Sequence, residues 1–387
     1  MAAGGIFMSK NESVALRILE EFRVGVISRR QAADLLECSE RAVSRRTQKL
    51  RRKGVEGIKH GNYRKPASNK IAASKRDEML KLAQETYFDF NMSHCLEMLS
   101  ERHDLKSSYS TFHRWCRKAG IAKRKKRRTS KARVYRERMA SEGLLLQMDG
   151  SHHAWNGKDK WCLIAMIDDA TSEIPSAKFF ETETTLGCMK VLRDVIEAKG
   201  VPMMLYTDEA GWAGGGEKRK GFSQFVRACA ELEIRVITTS SPEAKGRIER
   251  AWNTTQDRLI PELRLAGITS MVDANRYLDQ VYLPKYWHQR NTVQARDETS
   301  RYRSLKPHEN LDEIFCIKHT RQIYSDHTVT FENQTYKVQD RQYGSLKKKE
   351  VSIHVYENGS IAMYFGHIKL DHELVVRPKR QWMKSIA

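Results

Sequence analysis

The sequence predicts a multidomain chain with an all-helical N-terminal third, a central α/β domain and a small C-terminal β-barrel. Apolar residues recur at helical spacing between residues 12 and 119, and from residue 144 short apolar strands alternate with amphipathic helices. After residue 316 short strands follow one another, separated by turn signals such as Glu357-Asn358-Gly359. The predicted boundaries are 10–62 and 63–122 for two helical modules, 123–141 for a basic linker, 142–300 for the α/β core and 301–387 for the barrel.

The composition excludes several classes of protein. Hydrophobic residues make up 40% and charged residues 30% of the 387 residues, which is too apolar for a disordered chain. No run approaches the roughly 18 apolar residues of a transmembrane helix, and the first residues lack the charged flank of a secretory signal. The seven cysteines are scattered without a CxxC pair, which argues against a disulfide framework or a zinc site. These features favour a cytoplasmic protein.

The positive charge is concentrated at one end of the chain. Residues 1–140 contain 34 basic and 15 acidic residues, a net charge of +19, whereas the other 247 residues contain 35 basic and 33 acidic, a net charge of +2. A basic surface that served only solubility would be spread along the chain. The asymmetry therefore favours a nucleic acid as the partner of the N-terminal third, and a location at the nucleoid.

Three short helices are predicted near the N-terminus, at 12–22, 28–36 and 40–50. A short break after the second helix and a polar, basic face on the third are typical of a helix-turn-helix, whose second helix enters the major groove of DNA. An ordinary three-helix bundle with a solvated basic face has the same pattern. On the DNA-binding interpretation the contacting side chains are Arg41, Ser44, Arg45 and Gln48.

A second set of helices repeats this pattern at 74–87, after an N-cap at Ser93, and at 108–119. Arg114 points outward from the last of these helices and is a further candidate for DNA contact. The segment 123–133 then carries eight basic residues and no acid, which fits an arm that follows DNA phosphates, although a solvated linker has the same composition. The candidate contacts in this arm are Lys123, Arg124, Lys125, Lys126, Arg127 and Arg128.

The central domain is predicted to contain its elements in the order β-β-β-α-β-α-β-α. In this order the fourth strand can pair in parallel with the first, which brings Asp149 in the first strand close to Asp208, just past the fourth. Glu249 lies in the first turns of the last helix, which packs over the same sheet. Converging carboxylates repel one another unless a hard divalent cation neutralises them. The three acids therefore predict a magnesium site, where two ions about 4 Å apart would activate an attacking oxygen and stabilise a leaving one.

The helix that carries Glu249 also carries polar side chains on the adjoining face. At about 3.6 residues per turn, Lys245, Asn253 and Gln256 share a face with Glu249, next to an apolar stripe that packs on the sheet. We expect these three side chains, together with Arg247, to contact a DNA end rather than the metal. The alternative is that they are ordinary solvent-facing residues of the helix.

Two further acids at the end of the second strand have a simpler interpretation. Asp168 and Asp169 follow an apolar run, and a single aspartate at a strand end is more often a turn cap than a metal ligand. We therefore interpret both residues as the exit of a hairpin.

Three acidic motifs carry a resemblance to a known family. The segments LQMDGS, YTDEAGW and SPEAKGRIER, which contain Asp149, Asp208 and Glu249, resemble the motifs of DDE transposases with the ribonuclease H-like fold of retroviral integrases. They are most similar to insertion-sequence transposases with N-terminal helix-turn-helix units, the ISNCY type among them. The likeness covers about 142–290 closely and the N-terminal modules loosely. The insert GWAGGGEKRKG differs from the shorter loop of the integrases and lacks the Gly-Lys-Ser/Thr ending of a nucleotide-binding P-loop.

The resemblance implies a transposase with Asp149, Asp208 and Glu249 as its catalytic, metal-binding triad. Water would hydrolyse a phosphodiester at the element end, and the freed 3′-OH would attack target DNA in the same site, with two Mg²⁺ ions, or Mn²⁺ in their place, as cofactors. The implied partners are double-stranded DNA, as terminal inverted repeats and as target, and further copies of the chain on that DNA. Two other functions stay open: a helix-turn-helix regulator with an inactive core, and a structure-specific nuclease without strand transfer.

Overall fold

The computed structural model describes residues 8–60, 62–63, 70–122, 137–207, 224–238, 246–339 and 345–375. It divides the chain between Glu78 and Met79 into two compact units. The boundary expected between the two helical modules lies earlier, at residue 62, and the domain limits stay a prediction. None of the helices in the described ranges has the length and apolar character needed to cross a membrane.

The N-terminal unit contains three helices that begin at serine caps. They are α1 Lys10–Arg23, α2 Arg29–Leu35 and α3 Glu40–Lys53, followed by a 3₁₀ turn at Gly54–Ile58. Each follows a serine whose hydroxyl accepts a backbone N–H of the first turn, which satisfies a group that has no partner inside the helix. The buried members of their shared apolar cluster are Ile18, Leu19, Ala32, Ala33, Val43 and Leu50. The predicted helices are confirmed, and their helix-turn-helix function stays a prediction.

The second set of helices packs together with elements from later in the chain. These helices are α4 Ala73–Glu85, α5 Met92–His103 and α6 Tyr109–Lys118. Leu265 and Tyr286 pack against the apolar cluster around Leu99. The N-cap of α5 is Asn91, so the expected cap at Ser93 is wrong. Asparagine and serine are comparable caps, and composition alone does not distinguish between them.

Contacts between ionisable side chains also join this helical cluster to α9, the helix Gly246–Leu265 of the central domain. His94 contacts Glu262 at 2.9 Å, and both side chains are buried. Arg264 pairs with Asp89 at 2.7 Å. A buried polar group costs free energy unless it is paired, so this contact offsets part of the cost of burying the two side chains. Residues 79–122 are therefore packed on the central domain through polar as well as apolar contacts.

The central domain is built on a mixed sheet. Its described strands are β1 Leu145–His153, β2 Trp161–Asp168, β3 Ser176–Phe180, β4 Met204–Thr207 and β5 Arg235–Thr238. They lie in the order β3-β2-β1-β4-β5, with β1, β2 and β3 antiparallel and β4 parallel to both β1 and β5. Parallel neighbours need long crossovers, which is why helices separate the strands only after β3. The predicted element order and the parallel pairing of the first and fourth strands are confirmed.

Helices cover both faces of this sheet. α7 Thr185–Lys199 and α8 Gln224–Glu231 pack on one face. α9 and α10 Met271–Tyr277 pack on the other. All eight residues of β2 are buried, as expected for a strand between two helical layers. Successive side chains of the neighbouring β1 therefore point alternately into the two layers.

The helix predicted over 270–290 has a π-helical interior. α10 passes into a π-helical segment at Leu278–Trp287, and α11 His288–Arg290 completes the run. Pro284 lies inside this segment and has no N–H to donate, so the regular α-helical hydrogen bonding cannot continue through it. The prediction is therefore right about the extent of the helical run and wrong about its interior.

The C-terminal region begins with the short helix α12 Leu311–Ile314 and continues in strands. These are β6 Ile317–Gln322, β7 Thr328–Phe331, β8 Gln334–Val338, β9 Glu350–Val355, β10 Ile361–Phe365, β11 Ile368–Leu370 and β12 His372–Leu374. They form two antiparallel sheets, β11-β10-β9-β6 and β12-β8-β7, which share one apolar cluster. Within the described residues no strand pair closes these sheets into a barrel, so the barrel stays a prediction.

Candidate active site

The pairing of β1 with β4 determines which residues meet at the end of the sheet. Gln147 pairs in parallel with Tyr206. One further step of two residues along each chain leads to Asp149 and Asp208, the two acids that the sequence analysis placed side by side. Asp208 directly follows the last residue of β4 and lies outside the described residues. Up to the end of β4, the pairing of β1 with β4 therefore has the register that the prediction for Asp208 requires.

Three residues of β1 that face α9 each bond to a residue of that helix. The pairs are the Gln147 side-chain oxygen with the Ile248 N–H at 3.3 Å, the Asp149 carboxylate with the Trp252 indole N–H at 2.8 Å, and the Ser151 hydroxyl with the Gln256 amide at 3.0 Å. Alternate residues of a strand are about 6.6 Å apart, and residues four apart in a helix are about 6 Å apart. Every second residue of β1 can therefore bond to every fourth residue of α9. The helix is therefore held at a defined position along β1.

Glu249 occupies the first turn of α9, and its side chain is exposed. It precedes Trp252 by three residues, a spacing at which side chains are neighbours on a helix surface. Because Trp252 donates to Asp149, the helix brings Glu249 to the part of β1 that carries the half-buried Asp149. A carboxylate in the first turn is also favoured by the helix dipole. The fold thus brings two of the three predicted acids into one region.

A fourth acid lies beside β1 on the opposite face of the sheet, which α7 covers. Glu183, in the turn between β3 and α7, places its carboxylate against Gly150, where an added Cβ would lie 2.6 Å from Oε1. Burial raises the pKa of the Cys162 thiol to about 12, and the negative charges of Glu183 and Asp149 add to this effect. The sequence analysis missed Glu183 because an acid just before a helix has the same local pattern as a solvated turn residue.

The chemistry of these side chains fits a hard divalent cation. Carboxylate oxygens are the ligands that Mg²⁺ prefers, and a cation relieves the repulsion between neighbouring carboxylates. In the ranges that the structure describes, no group of three or more His, Cys, Asp or Glu side chains is arranged to hold a metal ion. Asp208 lies outside these ranges. The assignment of Asp149, Asp208 and Glu249 as metal ligands therefore stays a prediction.

The candidate DNA contacts of the helical modules lie on accessible faces. The exposed side chains among them are Arg41, Arg45, Gln48 and Arg114. Ser44 is partly buried, and its hydroxyl donates to the Glu40 carbonyl at 3.2 Å. The basic arm at 123–128 and Lys245 lie outside the described residues.

On α9 the other candidate DNA contacts have partners within the protein. Asn253 is exposed, and its amide donates to the Glu249 carbonyl at 3.0 Å. Gln256 uses its amide in the strand–helix contact described above. The Arg247 guanidinium donates to Asp169 at 2.8 Å. The interpretation of Asp169 as a simple hairpin exit missed this ion pair, in which Asp169 is fully buried and Arg247 partly buried, because the two residues lie far apart in sequence.

Two curated relatives each align with 94% of the chain. The putative transposase y4bF of Sinorhizobium fredii (strain NBRC 101917 / NGR234) is 32% identical over 378 residues, which cover 81% of that protein. The transposase for insertion sequence IS1202 of Streptococcus pneumoniae is 27% identical over 412 residues, which cover 88% of it. The chain belongs to this family of DNA transposases, as its three acidic motifs indicated.

Two other comparisons add less. No family model matches the chain. Among solved structures, the catalytic core domain of HTLV-2 integrase in complex with magnesium covers 36% of this chain and 89% of that chain, with 20% identity and a TM-score of 0.30. A likeness of this size supports no argument about the fold, which rests on the strand order and packing given above.

Proposed function

We propose that Asp149, Asp208 and Glu249 form the metal-binding catalytic triad with which this transposase cuts DNA at the ends of its element. The observation that carries the proposal is the hydrogen bond between Trp252 and Asp149, which ties the helix of Glu249 to the strand of Asp149. The observed β1–β4 register, continued by one step, leads to Asp208. The acidic motifs of all three residues support the same assignment.

Magnesium ions bound there would lower the pKa of a coordinated water and offset charge on the phosphate that is attacked. Two features of the chain position these ligands. Trp252 orients the Asp149 carboxylate, and the hydrogen bonds between β1 and α9 fix the position of Glu249 along the strand. Water adds to phosphorus and the P–O3′ bond breaks, which leaves a 3′-OH on the element end. The oxygen of this 3′-OH then attacks a phosphodiester of the target, so each step exchanges one P–O bond for another.

The remaining parts of the chain are assigned to DNA binding and assembly. The exposed polar face of α3 would read the terminal inverted repeats, with Arg41, Arg45 and Gln48 at base edges. Arg114 and the basic arm at 123–128 would follow phosphates. We assign the C-terminal strands, as a barrel, to contacts with DNA or with a second subunit. The working form is a homo-oligomer on double-stranded DNA.

The triad is tested by three substitutions that keep the shape of each side chain. Asp149→Asn, Asp208→Asn and Glu249→Gln should each abolish Mg²⁺-dependent cleavage of an element-end duplex, because a neutral amide no longer provides a charged ligand. Binding of the same duplex, measured by fluorescence anisotropy, should stay within about twofold of wild type, since affinity comes mainly from phosphate contacts elsewhere.

Asp257→Asn is the matched control, because Asp257 is an exposed acid on the same helix. It should cleave like wild type. Near-normal cleavage by any one triad variant would remove that residue from the metal site. Equal loss of binding and cleavage would instead indicate that the variant damages the DNA-binding form of the protein.

A further inference from the structure

Asp169 is a fully buried carboxylate that the proposed reaction does not use. Its Oδ1 accepts hydrogen bonds from the Gln147 amide and from the Arg247 guanidinium, both at 2.8 Å. Its Oδ2 accepts the Met139 N–H at 2.9 Å. A buried charge with this many charge-assisted bonds is strongly held in one position. Asp169 thus joins β2, β1 and α9 at one point.

The partners of Asp169 stand next to the candidate metal ligands. Gln147 precedes Asp149 by two residues on β1, and Arg247 precedes Glu249 by two residues on α9. Gln147 also accepts the Ile248 N–H at 3.3 Å, and this N–H belongs to the first turn of the helix, where backbone donors have no partner within it. The first turn of α9 is therefore attached to β1 and β2 through a network with Asp169 at its centre.

We propose that Asp169 is a positioning residue for the metal site, setting the spacing between Asp149 and Glu249 through Gln147 and Arg247. The inference rests on the proposed triad and adds a residue that the acidic motifs do not contain. It also gives Arg247 a role different from the DNA contact expected from the sequence. Groups that orient metal ligands typically change metal affinity by about 10- to 100-fold when they are removed.

The neighbouring Asp168 provides a matched control. It is also buried, but the bonds that its carboxylate accepts in the described part of the chain come from the Gly143 N–H before β1, from the N–H groups of Ala170 and Thr171 and from the Thr171 hydroxyl, and not from α9. Asp168→Asn therefore disturbs the same loop without touching α9. A difference between the two variants isolates the attachment of the helix from general damage to the loop.

The test measures metal binding directly, with full-length protein that contains 5-fluorotryptophan and no DNA. Trp252 bonds to Asp149, so its fluorine resonance, assigned with a Trp252→Phe sample, reports on that carboxylate. We expect Mg²⁺ to shift this resonance in wild type. In Asp169→Asn the Mg²⁺ concentration at half-saturation should rise about tenfold, and in Asp168→Asn it should match wild type.

Arg247→Gln and Arg247→Lys keep the test decisive if Asp169→Asn does not fold. Arg247 is only partly buried, and its removal leaves Asp169 bonded to Gln147 and Met139. Arg247→Gln should raise the half-saturating Mg²⁺ concentration, and Arg247→Lys should restore part of the loss. Unchanged metal binding in Arg247→Gln, or in Asp169→Asn where that variant folds, would overturn the positioning role. A wild-type resonance that does not respond to Mg²⁺ would overturn the proposed metal site and the positioning role together.

Discussion

Trp252 and Asp149 are joined across the strand–helix boundary by a hydrogen bond of 2.8 Å from the indole N–H to Oδ2. Trp252 is only 8% exposed, so the bond to a charged acceptor is largely shielded from water. The apolar stripe of this helix was expected to pack on the sheet, and Trp252 belongs to the apolar cluster on that face. Its polar edge has a separate effect, because it holds one oxygen of the candidate metal ligand in place.

Removing this hydrogen bond should impair cleavage without impairing DNA binding. Trp252→Phe keeps an aromatic ring in the core and deletes the donor, so Asp149 loses an orienting contact. We expect the rate of Mg²⁺-dependent cleavage to fall by about tenfold, which corresponds to roughly 1.4 kcal/mol. Single-turnover cleavage of a labelled element end measures the effect.

Trp287→Phe is the control for this change. Trp287 is buried and donates its indole N–H at 2.8 Å to the Ser172 carbonyl, which is not one of the candidate metal ligands. Trp287→Phe also loses an indole hydrogen bond. It should cleave at the wild-type rate at a temperature where both variants are folded. Equal losses in the two variants would contradict a specific role for Trp252.

The exposed face of α3 should determine sequence preference more than overall affinity. Replacing Arg41, Arg45 and Gln48 with alanine removes donors proposed to reach base edges, while the other basic residues still bind phosphates. We expect the ratio of affinities for element-end and unrelated duplexes to fall by at least about tenfold. Competition binding at one fixed salt concentration measures this ratio.

A second variant removes the same positive charge from a different part of the N-terminal unit. Lys10→Ala with Arg17→Ala eliminates two exposed cations on α1. This variant should weaken binding to both duplexes alike and leave their ratio unchanged. If the α3 variant also kept the wild-type ratio, α3 would not be the reading helix.

Asn253 should affect the position of the DNA end and not the metal. Its side chain is exposed one turn beyond Glu249, where an amide can reach a phosphate or base. Asn253→Ala should weaken end binding or shift the cut, with an unchanged Mg²⁺ dependence. Thr254→Ala is a control, because Thr254 likewise bonds to the carbonyl four residues earlier. Identical footprints and cut positions in all three proteins would show that Asn253 only faces solvent.

The buried side chain of His354 should make the stability of the C-terminal region depend on pH. Burial, together with the positive charges of Lys318 and Arg227, lowers its pKa from 6.5 to about 4, and its ring stacks on Tyr364. Below about pH 6.5 the unfolded chain binds a proton that the folded chain does not. The free energy of unfolding should therefore fall as the pH drops from 6.5 towards 4, by at most about 1.4 kcal/mol per pH unit.

Urea unfolding at several pH values between about 7 and 4.5 measures this slope. His354→Phe keeps a ring against Tyr364 and should flatten it. His367→Phe, at an exposed position, should keep the wild-type slope. A wild-type stability that does not change over this range would contradict the prediction.

Periodicity and motif order were sufficient to predict the central sheet, because strands and crossover helices differ in local pattern. The same signals led to Asp149 and Glu249. They could not show the bond between Arg247 and Asp169, since an ion pair between distant residues leaves no local pattern in either segment. The interior of the run at 270–290 was missed for a different reason: a π-helix and an α-helix bury similar residues, and only Pro284 marks the change.

The packing of residues 79–122 on α9 affects the order in which the chain can fold during synthesis. α5 leaves the ribosome long before Glu262, the partner of His94, and before Tyr286 has been made. Until then the His94 ring has no contact with Glu262, and the apolar side chains around Leu99 stay partly exposed to water. This helical segment completes its structure only after most of the central domain has been translated. Apolar surface that is exposed during that interval makes a nascent chain prone to aggregation.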